Sequence, residues 1–152
     1  MSLAAFAQPT GRPELNACHG GECSWSITRS RTLVRRDARG ELYRLSLLGG
    51  SAREGSRNIR WNRAPHELFI FCSPRLPATI LPDAGHLQVD LLDFVAGPPP
   101  VLEGSAALYV RTCDPGEDWE ADGFAARHHY RAQDEDREID LSRPEDIFNY
   151  AN

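Results

Sequence analysis

The chain has 152 residues, of which 41% are hydrophobic and 26% charged, and its formal net charge is −5. A chain of this size can bury roughly 70% of the surface its unfolded form exposes, while no apolar run approaches the ~20 residues that a membrane-spanning helix requires. The acidic balance argues against nucleic acid, and no zinc-finger, RRM or helix-turn-helix pattern accompanies the basic residues.

Residues 1–17 are rich in Pro, Gly and Ala and lack periodicity, so the expectation is a disordered arm. Within it, Ala5-Phe6-Ala7 followed by Gln8-Pro9-Thr10 reads as the remnant of a signal-peptide cleavage site, with small residues at −3 and −1. This points to an exported protein. The four cysteines, Cys18, Cys23, Cys72 and Cys113, fit the same compartment and allow three full pairings. The short spacer His19-Gly20-Gly21-Glu22 favours Cys18 with Cys23, leaving Cys72 with Cys113. A metal site built from these cysteines with His19, His128 or His129 is the rival reading. Structural zinc, however, takes its ligands in tight pairs, and only one close pair exists here. No cofactor is expected.

From Glu22 the pattern changes: Trp25 and Ile27 alternate with Ser24, Ser26 and Thr28, and β-branched residues continue to Val34, as in a strand with one buried face. After a turn at 37–40, the stretch 42–48 places Tyr43, Leu45 and Leu47 on one face and Arg44 and Ser46 on the other, which predicts a hairpin. A Gly/Ser loop leads to a third strand around Ile59 and Trp61. The continuous apolar run Leu68-Phe69-Ile70-Phe71-Cys72 predicts a central strand covered on both faces. Residues 78–81 and 86–92 form a second hairpin across Pro82-Asp83-Ala84-Gly85, with Leu87, Val89 and Leu91 inward. Residues 105–113 fit a short helix capped by Ser105 or a strand, the helix slightly better. Trp119 and Phe124 are expected to anchor the acidic C-terminal stretch, and Ser142-Arg143-Pro144-Glu145 to open a last short helix through Ile147 and Tyr150.

The fold expected is therefore all-β: an antiparallel barrel or sandwich of about seven strands with one or two short helices, occupying residues 18–152 as one domain. All 17 basic residues are Arg, which fits the codon bias of a GC-rich bacterial genome, and they are unevenly placed. Between Ser24 and Arg75 eleven Arg face four acids, an excess of seven; from Asp114 onward twelve acids face four Arg, an excess of eight. The simplest expectation lays the acidic segment across the arginine-rich sheet.

Candidate chemistry is sparse. Ser24 lacks the Gly-x-Ser-x-Gly setting of a nucleophile elbow, and Gly20-Gly21 lacks the lysine and helix of a P-loop. His128 or His129 with carboxylates such as Asp134 would be the machinery of an envelope hydrolase. Trp25, Tyr43 and Trp61 fall on inward faces of adjacent predicted strands, where core packing is the plain reading. Opened as a groove with Arg44 and Arg60 at its rim, the same residues would suit a saccharide or a peptide.

Cys23-Ser24-Trp25, Leu42-Tyr43-Arg44, Ile59-Arg60-Trp61, Phe71-Cys72-Ser73-Pro74 and Ala107-Leu108-Tyr109 before Cys113 together resemble small exported proteobacterial proteins that carry Cys-Ser-Trp and Phe-Cys-Ser strands. The resemblance spans roughly residues 18–113. It implies an exported disulfide protein and brings no activity with it. The leading expectation is a periplasmic or secreted binding protein with a protein or saccharide partner in the cell envelope, in one form an inhibitor of an envelope enzyme; the hydrolase is the alternative.

Overall fold

The computed structural model describes residues 11–134 and 136–152; the Ala5-Phe6-Ala7 site lies outside them. Seven antiparallel strands make one sheet: β1 (Glu14–His19), β2 (Glu22–Asp37), β3 (Gly40–Arg53), β4 (Arg60–Trp61), β5 (His66–Cys72), β6 (Ala78–Asp83) and β7 (His86–Leu91). Their order is β1-β2-β3-β5-β6-β7, with β4 beside the far end of β3. Because β1 and β7 end this order without pairing among the described residues, the arrangement is layered rather than a closed barrel.

Strand β5 explains the layering. Its alternate side chains point to opposite faces, and both faces are covered. Leu68 and Ile70 pack with Leu45, Leu47, Tyr109 and Val110 under helix α1 (Glu103–Cys113). Phe69 and Phe71 pack with Leu42, Ile80, Ile147 and Phe148 under the C-terminal 3-10 helix Pro144–Tyr150. The apolar run in the sequence is thus a strand sandwiched between two layers, as expected.

The two predicted hairpins form, and their turns show why. Ala84 (φ 47°) and Gly85 (φ 80°) are both left-handed between the paired Asp83 and His86, the backbone of a tight I′ turn. At the other hairpin Gly40 is required by space: a Cβ there would lie 2.7 Å from the Cys72 carbonyl oxygen and 2.9 Å from the Phe71 ring.

Three expectations are corrected. The sheet begins at Glu14, so residues 14–17 are strand and not arm; the Gly20-Gly21 turn and the Cys18–Cys23 bridge fold this stretch back onto β2. Residues 105–113 are helical, but α1 begins at Glu103 on a 3-10 turn (Pro100–Leu102), so Ser105 is inside the helix instead of capping it. The last helix is capped one residue later than Ser142: the Arg143 N–H donates to Asp146 Oδ2 at 3.1 Å while the Asp146 N–H returns to the Arg143 carbonyl at 3.0 Å.

Candidate functional site

All four cysteines are bridged, Cys18 to Cys23 and Cys72 to Cys113. The first pair are directly opposed across β1 and β2, with Cα atoms 4.0 Å apart. The second ties the end of central β5 to the end of α1, with Cα atoms 5.5 Å apart. Among the described residues no group of three His, Cys, Asp or Glu is placed to hold a metal.

The residues expected to form one binding face do not share one. Gly50 of β3 pairs with Trp25 on one side and Trp61 on the other, so the two tryptophans flank a glycine on a common face. A Cβ at Gly50 would meet Trp61 at 2.7 Å, so the missing side chain lets the indole lie against the strand. Tyr43 is seven residues away along the same regular strand, and an odd spacing turns it to the opposite face. By the same count Arg44 lies on the face of Gly50, whereas Arg60, paired with Ser51, lies on that of Tyr43. None of the three aromatics belongs to the core; all are half-buried. Beside Trp25 a pocket of about 300 Å³ is lined by the Cys18–Cys23 bridge, Arg53 and Arg57.

Tyr43 serves its own strand pair. Its hydroxyl donates to Glu41 Oε2 at 2.6 Å, Arg36 approaches the same oxygen at 2.9 Å, and the Arg31 guanidinium lies 4.2 Å above the ring. The Tyr43 hydrogen bond, helped by Arg36, holds the Glu41 carboxyl below its ordinary range.

His128 and His129 part company. His129 is exposed, with φ 59°. His128 is half-buried, its Nδ1 3.3 Å from Asp114 Oδ1 and its Nε2 3.7 Å from Glu117 Oε1. The Tyr130 hydroxyl donates to the other Asp114 oxygen at 2.5 Å. Burial, then the neighbouring Tyr109, pushes the Tyr130 hydroxyl far above its usual range, so it stays a donor. Asp134, the carboxylate expected beside the histidines, instead accepts the Asp136 N–H at 3.0 Å. This network knits helix α2 (Phe124–Arg127) to the end of α1. The nearest sizeable cleft, about 650 Å³ between residues 94–98 and 119–126, is lined by Trp119, Phe124 and Tyr130 but not by His128.

Set against family models, curated proteins and solved structures, the chain matches none. The site must be judged on its own surface.

On that surface one stretch stands apart. Every residue from Arg29 to Arg36 of β2 is exposed, and beyond Ser26 the strand has β3 on one side and, among the described residues, no strand on the other. The stretch carries Arg29, Arg31, Arg35 and Arg36, with Leu33 and Val34 exposed at 41% and 36%. No carboxylate among the described residues lies within ion-pair distance of Arg29 or Arg31, whereas Arg35 reaches Asp37 at 3.3 Å and Arg36 reaches Glu41 at 2.9 Å. The sequence contained the signal, four arginines in eight residues of a strand pattern, but the pattern does not reveal which edge lacks a partner.

The end of this edge is fixed. Asp37 accepts the Arg39 N–H at 2.8 Å and pairs with its guanidinium at 2.8 Å, which holds the Asp37 carboxyl at about 2. Arg39 in turn donates to the Phe148 carbonyl at 3.0 Å, and the Ser73 hydroxyl donates to the Arg39 carbonyl at 2.8 Å. The bare edge is therefore held in place at its tip by the covered core.

Proposed function

We propose that the protein is a noncatalytic interaction protein of an oxidising compartment, periplasmic or secreted, that receives an extended acidic segment of a partner along the outer edge of β2. The observation that carries this reading is the edge from Arg29 to Arg36, which among the described residues has no strand beside it, with two arginines that have no carboxylate partner among those residues and two exposed aliphatic side chains. An unpaired edge presents a row of backbone donors and acceptors that a second chain can complete. Arginines beside it select an acidic strand, and charge steers the encounter. The two disulfides support the compartment, since such bonds persist where thiols are not kept reduced. Among the described residues no helix is long and apolar enough to cross a membrane. Inhibition of an envelope enzyme is one form that such capture takes.

The test is titration of the protein with a fluorescent peptide of alternating Glu and Val, alongside the double variant Arg29→Glu, Arg31→Glu. The expected result is saturable binding that weakens with salt and falls at least about tenfold in the variant, the loss of roughly 1.4 kcal/mol or more, with unchanged melting temperature. Equal binding by the variant overturns the reading. Tighter binding of heparin than of the peptide overturns it in favour of a saccharide polyanion. A tenfold gain on deleting residues 1–10 would replace the partner with that segment of the chain itself.

A further inference from the structure

The two oppositely charged stretches of the chain lie against one another, but among the described residues their charges form no ion pair. What joins the C-terminal segment to the sheet is apolar: Phe148 sits edge-on to Phe71 with centroids 4.9 Å apart, and Ile147 is fully buried beside it. The arginines that approach this segment use its ring and backbone. Arg35 lies 4.5 Å above the Phe148 ring, and Arg39 donates to the Phe148 carbonyl. Among the described residues, no ion pair joins one stretch to the other. Arg35, Arg36, Arg39 and Arg44 pair with Asp37, Glu41 and Glu67. Arg127 and His128 pair with Glu117 and Asp114, and Arg143 with Asp146.

The expectation that acids of the C-terminal segment neutralise the arginines of the sheet is thereby corrected. Apolar burial decides how this segment docks, because a surface ion pair contributes only about 0–1 kcal/mol. Asp134, Asp136, Glu138 and Asp140 remain exposed in a stretch without helix or strand, and none has a cationic partner among the described residues.

We infer that the acidic segment received by the β2 edge is that of a second copy of this chain: the arginine edge of one molecule docks on the exposed Asp134, Asp136, Glu138 and Asp140 of the next. This rests on the reading of the edge given above and names its partner. The two patches are different surfaces, so the contact is head-to-tail. A pair joined this way keeps one free edge and one free acidic segment, and assembly continues until a ring closes. Exposed charges attract over about 30 Å at 0.01 M salt but only about 3 Å at 1 M, so the association is reversible and confined to low salt.

Analytical ultracentrifugation decides the matter with two charge reversals, Arg29→Glu with Arg31→Glu on the edge and Asp136→Arg with Glu138→Arg on the acidic segment. The wild-type protein is expected to form dimers and larger species at low salt and to return to monomer at high salt. Each variant alone is expected to be monomeric with an unchanged melting temperature. Mixed, they should associate again, because the intact edge of one meets the intact acidic segment of the other and the two reversed surfaces are once more of opposite charge. A wild-type protein that stays monomeric at low salt overturns the inference, as does association that survives in either variant or a mixture that stays monomeric. If the wild-type protein is monomeric yet still binds the Glu-Val peptide, only the choice of partner has failed. If the peptide does not bind either, the reading of the edge has failed with it.

Discussion

Strands β5 and β2 belong to one sheet and meet opposite fates. In β5 the five residues from Leu68 to Cys72 are shared between two packed layers, so both of its faces are interior. In β2 only Cys23, Ser26 and Ile27 are buried, and the eight residues from Arg29 to Arg36 are exposed, with no second strand beside them among the described residues. The difference shows that this fold needs β2 as a support for β3 and the hairpin tip, and does not need its outer surface for the core. It is on this strand, kept in place and paired on one side only among the described residues, that the proposed binding is placed.

The disulfides provide the sharpest way to break that comparison, since one anchors each strand. Replacing Cys72 and Cys113 together by Ala opens a loop that spans 41 positions of the chain. On the chain-entropy account this costs about 4 kcal/mol, and replacing Cys18 and Cys23 costs about 2 kcal/mol. For a chain of this size about 4 kcal/mol lowers the melting temperature by roughly 8–16 °C. Calorimetry on the two double variants tests the order. If the hairpin bridge proved the costlier of the two, the outer region would be the real foundation of the fold.

How much of this was legible follows from the same contrast. The apolar run of β5 announces burial on two faces with no ambiguity, and the alternation from His86 to Leu91 around a Pro-Asp-Ala-Gly turn identifies the β6–β7 hairpin. Residues 105–113 were ambiguous because Ala106 and Val110 suit both a helical and a strand period. Strand β1 was hidden because Leu15 and Ala17 are its only apolar positions before Cys18, and its pairing is set by a Gly-Gly turn and a disulfide. The partners of His128 were out of reach for a related reason: Asp114 and Glu117 come to it only when the chain beyond α1 folds back. The binding face failed on parity, since local alternation was sound within each strand but the register linking Trp25 to Gly50 and Trp61 is a tertiary fact.

A smaller effect tests the clamp between the two regions. Arg39 holds the folded Asp37 carboxyl at about 2, below its ordinary value near 3.8. A carboxyl lowered on folding stabilises the protein above its unfolded pKa, and that contribution is lost as pH falls through the folded one. The gap in stability between wild type and Asp37→Asn should therefore be widest near neutral pH and narrow between about pH 4 and pH 2. Urea melts across that interval measure it. A gap that stays constant with pH would mean that the Asp37–Arg39 pair does not hold the tip against the core.

The smallest expected effect carries the most weight for function. Leu33 and Val34 are exposed, and exposed substitutions generally alter stability by no more than about 0.5 kcal/mol. Leu33→Thr with Val34→Thr keeps β-compatible side chains while removing apolar surface, so its denaturation midpoint should match that of the wild type. Its affinity for the Glu-Val peptide should fall, though by less than that of the arginine reversal, because the backbone edge and all four arginines remain. A large loss of stability would show that these side chains serve the fold after all, and the contrast between a covered strand and a bare one would no longer separate structure from binding.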